Sequence, residues 1–162
     1  MPSGDAFAAF VARLDEPVYI VTVIHGGTRG GCLIGFGGQV SIDPQRFLAC
    51  LSDKNRTYRV AVRGAEHLAV HVVPADRRDL AELFGGETGD DVDKFERCAW
   101  HEGPHGVPVL DGCPTWFVGR VLERHPLGDH VGFLLEPVAG AAGDEPWLSR
   151  DDVLDIDAGH EA

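Results

Sequence analysis

Absences set the first limits on this chain. No two of its four cysteines, Cys32, Cys50, Cys98 and Cys113, form the short Cys-x-x-Cys pair of a zinc or redox site, and a disulfide scaffold is not expected. Cys32 and Cys50 fall within strand-like apolar runs and read as small buried core residues. No apolar run approaches the length of a membrane span. Met1-Pro2-Ser3-Gly4-Asp5 lacks a basic region followed by an apolar stretch, so a cytoplasmic address is expected. Basic residues are scarce: 14 Lys and Arg against 26 Asp and Glu leave a formal charge of −12, which argues against a nucleic-acid or anionic-membrane partner that needs a broad basic face. Neither a Gly-x-Ser-x-Gly elbow nor a Gly-x-Gly-x-x-Gly turn between strand and helix is present, which removes the serine-hydrolase and Rossmann routes.

What is present suits one compact, mainly β unit. The 162 residues are 44% hydrophobic and 25% charged, long enough to bury a core without staples. Phe7, Phe10, Val11 and Leu14 predict a short amphipathic helix over Asp5 to Leu14, capped by Ser3 or Asp5. The β-branched run Val18 to Ile24, the turn His25-Gly26-Gly27-Thr28 and the segment Gly30 to Phe36 predict an antiparallel hairpin. Val40 to Ile42 and Arg46 to Leu51 read as strands separated at Asp43-Pro44. Ser52-Asp53 signals a helix start before Arg56 to Val62. His67 to Val73 reads as strand, Ala75 to Phe84 as a helix capped by Asp76 and ended by Gly85-Gly86, and Asp90 to Arg97 as one more helical turn. Trp116 to Glu123 and Val131 to Val138 predict a long hairpin. From Gly140 the chain turns polar and acidic, and loose attachment is expected there. Six or seven strands with three helices predict a closed or partly closed antiparallel barrel over residues 1–139, followed by an acidic extension over 140–162.

Two motifs invite chemistry and do not sustain it. His101-Glu102-Gly103-Pro104-His105 matches the zinc-protease spacing, but Gly103-Pro104 breaks the helix that would bring both imidazoles to one face, so a turn is expected. Asp155-Ile156-Asp157 resembles the start of a calcium loop, yet the chain ends before a bidentate glutamate at the twelfth position. Glycines 35, 37 and 38 carry more weight. Inside a β-rich segment they mark either a barrel corner or a close backbone approach to a ligand. Lys54-Asn55-Arg56-Thr57 supplies cations, an amide and a hydroxyl suited to a phosphate, or else forms a solvated turn. An anionic ligand would have to bind against the net field of the chain, so such local cations matter.

The order of segments identifies a family where no single piece does. Gly31-Cys32-Leu33-Ile34-Gly35-Phe36-Gly37-Gly38 runs into Val40-Ser41-Ile42-Asp43-Pro44, then Lys54-Asn55-Arg56-Thr57, Phe84-Gly85-Gly86, Lys94-Phe95, Pro108 to Gly112 and Gly128-Asp129-His130. From about Pro17 to Val138 this order resembles the flavin reductase-like, FMN-binding split β-barrel family, which implies a Greek-key antiparallel barrel. The resemblance further implies FMN, or FAD, with its ring against Leu33, Ile34, Gly35 and Phe36 and its phosphate at Asp53, Lys54, Asn55, Arg56 and Thr57. The family's hydroxyl pair aligns with Gly35 and Phe36, so side-chain donors are missing there and the backbone amides of Ile34, Gly35 and Phe36 take their place. Lys54 and Asn55 stand where the family favours serine. His130, in Gly-Asp-His, is the implied catalytic residue near flavin and nicotinamide, with a structural histidine at a strand start as the alternative. The implied reaction is hydride transfer from NADH or NADPH to flavin, by a homodimer that supplies a partner monooxygenase or reduces a small substrate. Tyr58, Trp116 and Phe117 are candidates for subunit contact, or for ordinary core. The rival readings are a flavin-binding or electron-carrying protein without a nicotinamide site, and a barrel holding deazaflavin or haem.

Overall fold

The computed structural model describes residues 2–159. After helix α1 (Ser3–Val11) the chain forms β1 (Tyr19–His25), β2 (Thr28–Ile34), β3 (Gly37–Ser41) and β4 (Arg46–Ser52). Helix α2 (Arg56–Val62), strand β5 (His67–Val72) and helix α3 (Arg78–Gly86) follow. Two short strands, β6 (Trp100–Glu102) and β7 (Pro108–Leu110), precede the long pair β8 (Trp116–Pro126) and β9 (His130–Ala141). Seven strands form one sheet in the order β2-β1-β5-β8-β9-β4-β3, with antiparallel pairing between neighbours.

The two edges of that sheet are joined by residues 35 and 36 alone. Laid flat, seven strands would separate the edges by about 29 Å at the usual inter-strand spacing, whereas the short link reaches only about 11 Å. The sheet therefore curls on itself. Phe36 C=O accepts from Cys50 N–H at 3.0 Å, which extends the pairing of β3 with β4 back into the link. The interior of the curl holds Val21, Val23, Ala49, Leu51, Leu68, Phe133 and Leu135, all essentially without solvent contact. A second cluster lies between β1 and α3, around Ile20, Val73, Leu80 and Phe84. Gly31 makes the second packing possible, because a Cβ there would stand 2.6 Å from the Phe84 ring. The mainly β, antiparallel class is as expected, and Cys32 and Cys50 are free and buried.

Several local expectations are corrected. The N-terminal helix starts behind Pro2 without a side-chain cap and ends at Val11, and Phe7 and Phe10 on it are 66% and 60% exposed. Its apolar face meets no core, so amphipathic spacing did not translate into burial. Asn55, not Ser52 or Asp53, caps α2 by accepting from Thr57 N–H at 2.7 Å. Helix α3 begins at Arg78 rather than Ala75, with Arg77 rather than Asp76 at its N-cap, and Ala75 N–H is donated to Pro146 C=O at 2.8 Å. The same contact docks the acidic C-terminal part. Leu148 donates to Val73 C=O at 2.8 Å, accepts from Val18 N–H at 3.3 Å and is buried, so this stretch is held by main-chain bonds and an apolar anchor instead of hanging loosely. The His101 to His105 segment is strand followed by a tight turn, with His105 in the left-handed region (φ 59°). His101 pairs with Asp111 at 2.5 Å while His105 stacks on His67 at 3.8 Å, so the two imidazoles part.

Candidate functional site

The C-terminal end of β4 gathers residues that are distant in sequence. Ser52 is the register partner of His130 at the start of β9, and Asp53 N–H donates to Asp129 C=O at 3.0 Å. Phe36, fixed to β4 through Cys50, lays its ring 4.8 Å from that of His130. His130 Nδ1 lies 2.7 Å from Asp129 Oδ1. That hydrogen bond, together with the charge of His130 and of nearby Lys54, holds the Asp129 carboxyl below the usual carboxylate range. Since Nδ1 faces a carboxylate, it carries a proton; Nε2 is then the atom left to meet a ligand, accepting when the ring is neutral and donating when it is protonated. Phe36 is 53% exposed, which leaves an apolar wall beside an imidazole.

A cleft of about 380 Å³ takes in the loop from Asn55 onward and includes none of Phe36, Asp53 and His130. Its walls are the edge strand β2, the start of α2 and the loop before Phe95, with Arg29, Arg56, Thr57, Asp90 and Lys94 among the lining residues. Thr57 is buried under Gly30, where a Cβ would meet Thr57 Cα at 3.2 Å. Burial pushes the Cys32 thiol up, while hydrogen bonding to Thr57, the Lys94 charge and hydrogen bonding to Asn55 pull it back. The hydroxyl of Thr57 thus faces the core as well as the cleft.

The sequence-predicted residues fall into three sets. Phe36, Asp53 and His130, with Lys54 close by, meet at the end of β4. Asn55, Arg56 and Thr57 line the cleft. Leu33 and Ile34 turn their side chains into the two apolar clusters, so only their main chain is available to a ligand. Gly31 C=O points off the sheet edge, accepting from Lys94 Nζ at 2.9 Å. By the alternation of a strand, the main-chain groups of Leu33 face outward as well, whereas Ile34 pairs with Tyr19. Of the proposed subunit-contact residues, Tyr58 and Phe117 pack on the interior cluster and Trp116 on Ala69, Val107 and Val118.

Sequence reasoning did not pick out Lys94 as buried, nor Asp90 and Arg59. Lys94 is 5% exposed, and burial lowers its pKa. Arg59 donates to Lys54 C=O at 3.0 Å and reaches Asp90 at 2.5 Å, with Arg56 3.5 Å from the same carboxylate. A lysine beside a phenylalanine gives no sequence signal of burial.

A model of the flavin reductase like domain matches residues 11–152. The NADH-dependent FMN reductase RutF of Ancylobacter novellus is 30% identical over 141 residues, covering 87% of this chain and 77% of that protein. The reductase component of 4-hydroxyphenylacetate 3-monooxygenase from Pseudomonas aeruginosa is 28% identical over 138 residues, covering 83% and 79%. Among solved structures, a flavin reductase domain protein from Arthrobacter sp. FB24 superposes with a TM-score of 0.80 at 24% identity, covering 92% of this chain and 91% of that one. Lengths differ among relatives: the chain spans 39% of one of the first curated relatives it matches and 77% of another.

Proposed function

The chain belongs to the flavin reductase-like domain family, and from that premise we propose that it is an NAD(P)H-dependent flavin reductase using FMN, with FAD as the larger alternative. The relatives named NADH-dependent FMN reductase and monooxygenase reductase component support this reading and a monooxygenase as the user of the reduced flavin. A homodimer working in the cytoplasm completes the proposal. Among the described residues no helix is long and apolar enough to cross a membrane.

The observation that carries the reading is the meeting of Phe36 and His130 at one end of β4, from which the Lys54–Thr57 loop leads into the cleft beside a strand edge with outward main-chain groups. The residues fit a flat anionic ligand. A Cβ on Gly35 would project into open space, which leaves room for a ring against bare backbone. Phe36 gives that ring an apolar wall and shields it from water. Lys54 and Arg56 supply positive charge to a phosphate, as the net charge of −12 demands of any anion site here. His130, held through Nδ1, presents Nε2 for a hydrogen bond at the reacting face. FMN, when bound, supplies the hydride-accepting chemistry, and the protein supplies position and electrostatics. This division accounts for the absence of a strong acid–base constellation among the described residues.

The test is anaerobic spectroscopy of the purified protein with FMN and then NADH. A bound flavin band that bleaches on adding NADH is expected. Tight flavin that NADH leaves oxidised would move the protein to the electron-carrier class, and a protein indifferent to flavin would overturn the reading.

A further inference from the structure

The phosphate loop does not meet solvent with all its cations. Arg56 and Arg59 both point at Asp90, at 3.5 and 2.5 Å, across the mouth of the cleft. Arg59 also holds Lys54 C=O at 3.0 Å, so one guanidinium ties the loop to the acidic segment opposite. The contact is built into the backbone. A turn sets Asp90 in place: its N–H donates to Thr88 Oγ1 at 3.3 Å, while the N–H groups of Asp91 and Val92 donate to Thr88 C=O at 3.2 and 3.1 Å. Gly89 lets this turn close over Arg56, because a Cβ there would stand 2.6 Å from Arg56 Cδ. Arg59 and Arg56 in turn hold the Asp90 carboxyl below its ordinary range, so it is an anion at neutral pH.

A carboxylate placed on two guanidinium groups competes with any other anion for the same charge. Glu87, Asp91 and Asp93 line the same cleft and add to its negative field. We infer that Asp90 is a specificity-determining residue that lowers the phosphate selectivity of the flavin site by occupying Arg56 and Arg59. The inference rests on the flavin-reductase reading and deepens it. Discrimination between FMN and riboflavin, which differ only in the phosphate, is weakened, and riboflavin becomes a serviceable substrate.

The test compares the dissociation constants of FMN and riboflavin, read by quenching of flavin fluorescence at low salt. The variants are Asp90→Asn, which keeps the shape and removes the charge, and Asp144→Asn, which makes the same change at an exposed site outside the cleft. Asp90→Asn is expected to raise the preference for FMN over riboflavin about fivefold, an effect of the size of an exposed ion pair, with riboflavin affinity unchanged and the gain shrinking as salt rises. Gly89→Ala, which pushes the turn off Arg56, should act in the same direction. An unchanged preference in Asp90→Asn, or an equal rise in Asp144→Asn, overturns the inference while leaving the flavin site standing. If the unaltered protein binds neither flavin, the functional reading fails and the role of Asp90 fails with it.

Discussion

The Phe36 ring stands 4.8 Å from the His130 ring, tilted by 59°, although the two residues are 94 positions apart. Strand β4 brings them together, with Cys50 bonded to Phe36 and Ser52 in register with His130. The pair forms one edge of the proposed flavin face. His130→Ala removes the imidazole and leaves Phe36, the cleft and the Lys54–Thr57 loop in place. Flavin affinity should change by less than about threefold, while the anaerobic rate of flavin reduction by NADH should fall about tenfold or more, from a hydrogen bond that orients the reactants up to the roughly hundredfold of a full proton donor. Stopped-flow bleaching of the flavin band reads both quantities. A reduction rate equal to that of the unaltered protein would leave His130 a structural residue at the start of β9.

Much of this arrangement was legible in the sequence, for identifiable reasons. The β1–β2 hairpin announced itself through β-branched density on one side of Gly26-Gly27, both of which adopt positive φ. The β8–β9 pair followed from two apolar runs around a polar loop. Phe36 and His130 were each singled out, but their contact depends on β3 and β9 pairing on opposite sides of β4, which local spacing does not encode. The three-residue strands β6 and β7 are too short for alternation to show. Leu148 sits in an acidic stretch whose composition reads as tail, and only the main-chain acceptors and donors of Val18, Val73 and Ala75 bring that stretch onto the sheet. Lys94 is the sharpest failure. A lysine is read as surface by default, whereas here two backbone carbonyls draw its ammonium inside.

His71 gives the fold an acid limit. It is fully buried, with Nδ1 2.9 Å from Ile20 C=O and Nε2 accepting from Leu110 N–H at 3.1 Å. One donor and one acceptor fix the neutral tautomer with the proton on Nδ1. Burial pushes its pKa from 6.5 down to about 4, against the opposing pull of the Ile20 carbonyl. Between those values the unfolded chain binds the proton and the folded one does not, so stability is complete above about pH 6.5 and is lost as pH falls toward 4. From pH 7.5 to 4.5 this residue alone should remove about 2.5 kcal/mol. Urea unfolding of the native protein and of His71→Asn at both pH values isolates the contribution, since the carboxylates are common to both. Equal losses in the two proteins would show that His71 does not titrate on unfolding.

Lys94 Nζ donates to Gly31 C=O and Phe84 C=O, both at 2.9 Å, and thereby bolts the free edge of β2 to the end of α3 at the floor of the cleft. Two effects oppose each other. Replacing the ammonium by an apolar group relieves the cost of burying a charge, but it leaves two carbonyls without their donor, each worth about 1–3 kcal/mol if water cannot replace it. The hydrogen bonds should win, because the lysine nitrogen donates to both carbonyls whichever charge it carries, while methionine has no donor. Lys94→Met should therefore lose about 2 kcal/mol at pH 7. Burial also lowers the Lys94 pKa from 10.5. As pH rises from the folded value toward 10.5, the unfolded chain holds the proton that the folded one has released, so stability attributable to Lys94 increases with pH. The difference in unfolding free energy between native protein and Lys94→Met should accordingly widen on going from pH 7 to pH 10. A gap that stays constant would mean that Lys94 keeps its ordinary affinity for the proton in the folded state, and a variant as stable as the native protein would mean that the two carbonyls find other donors.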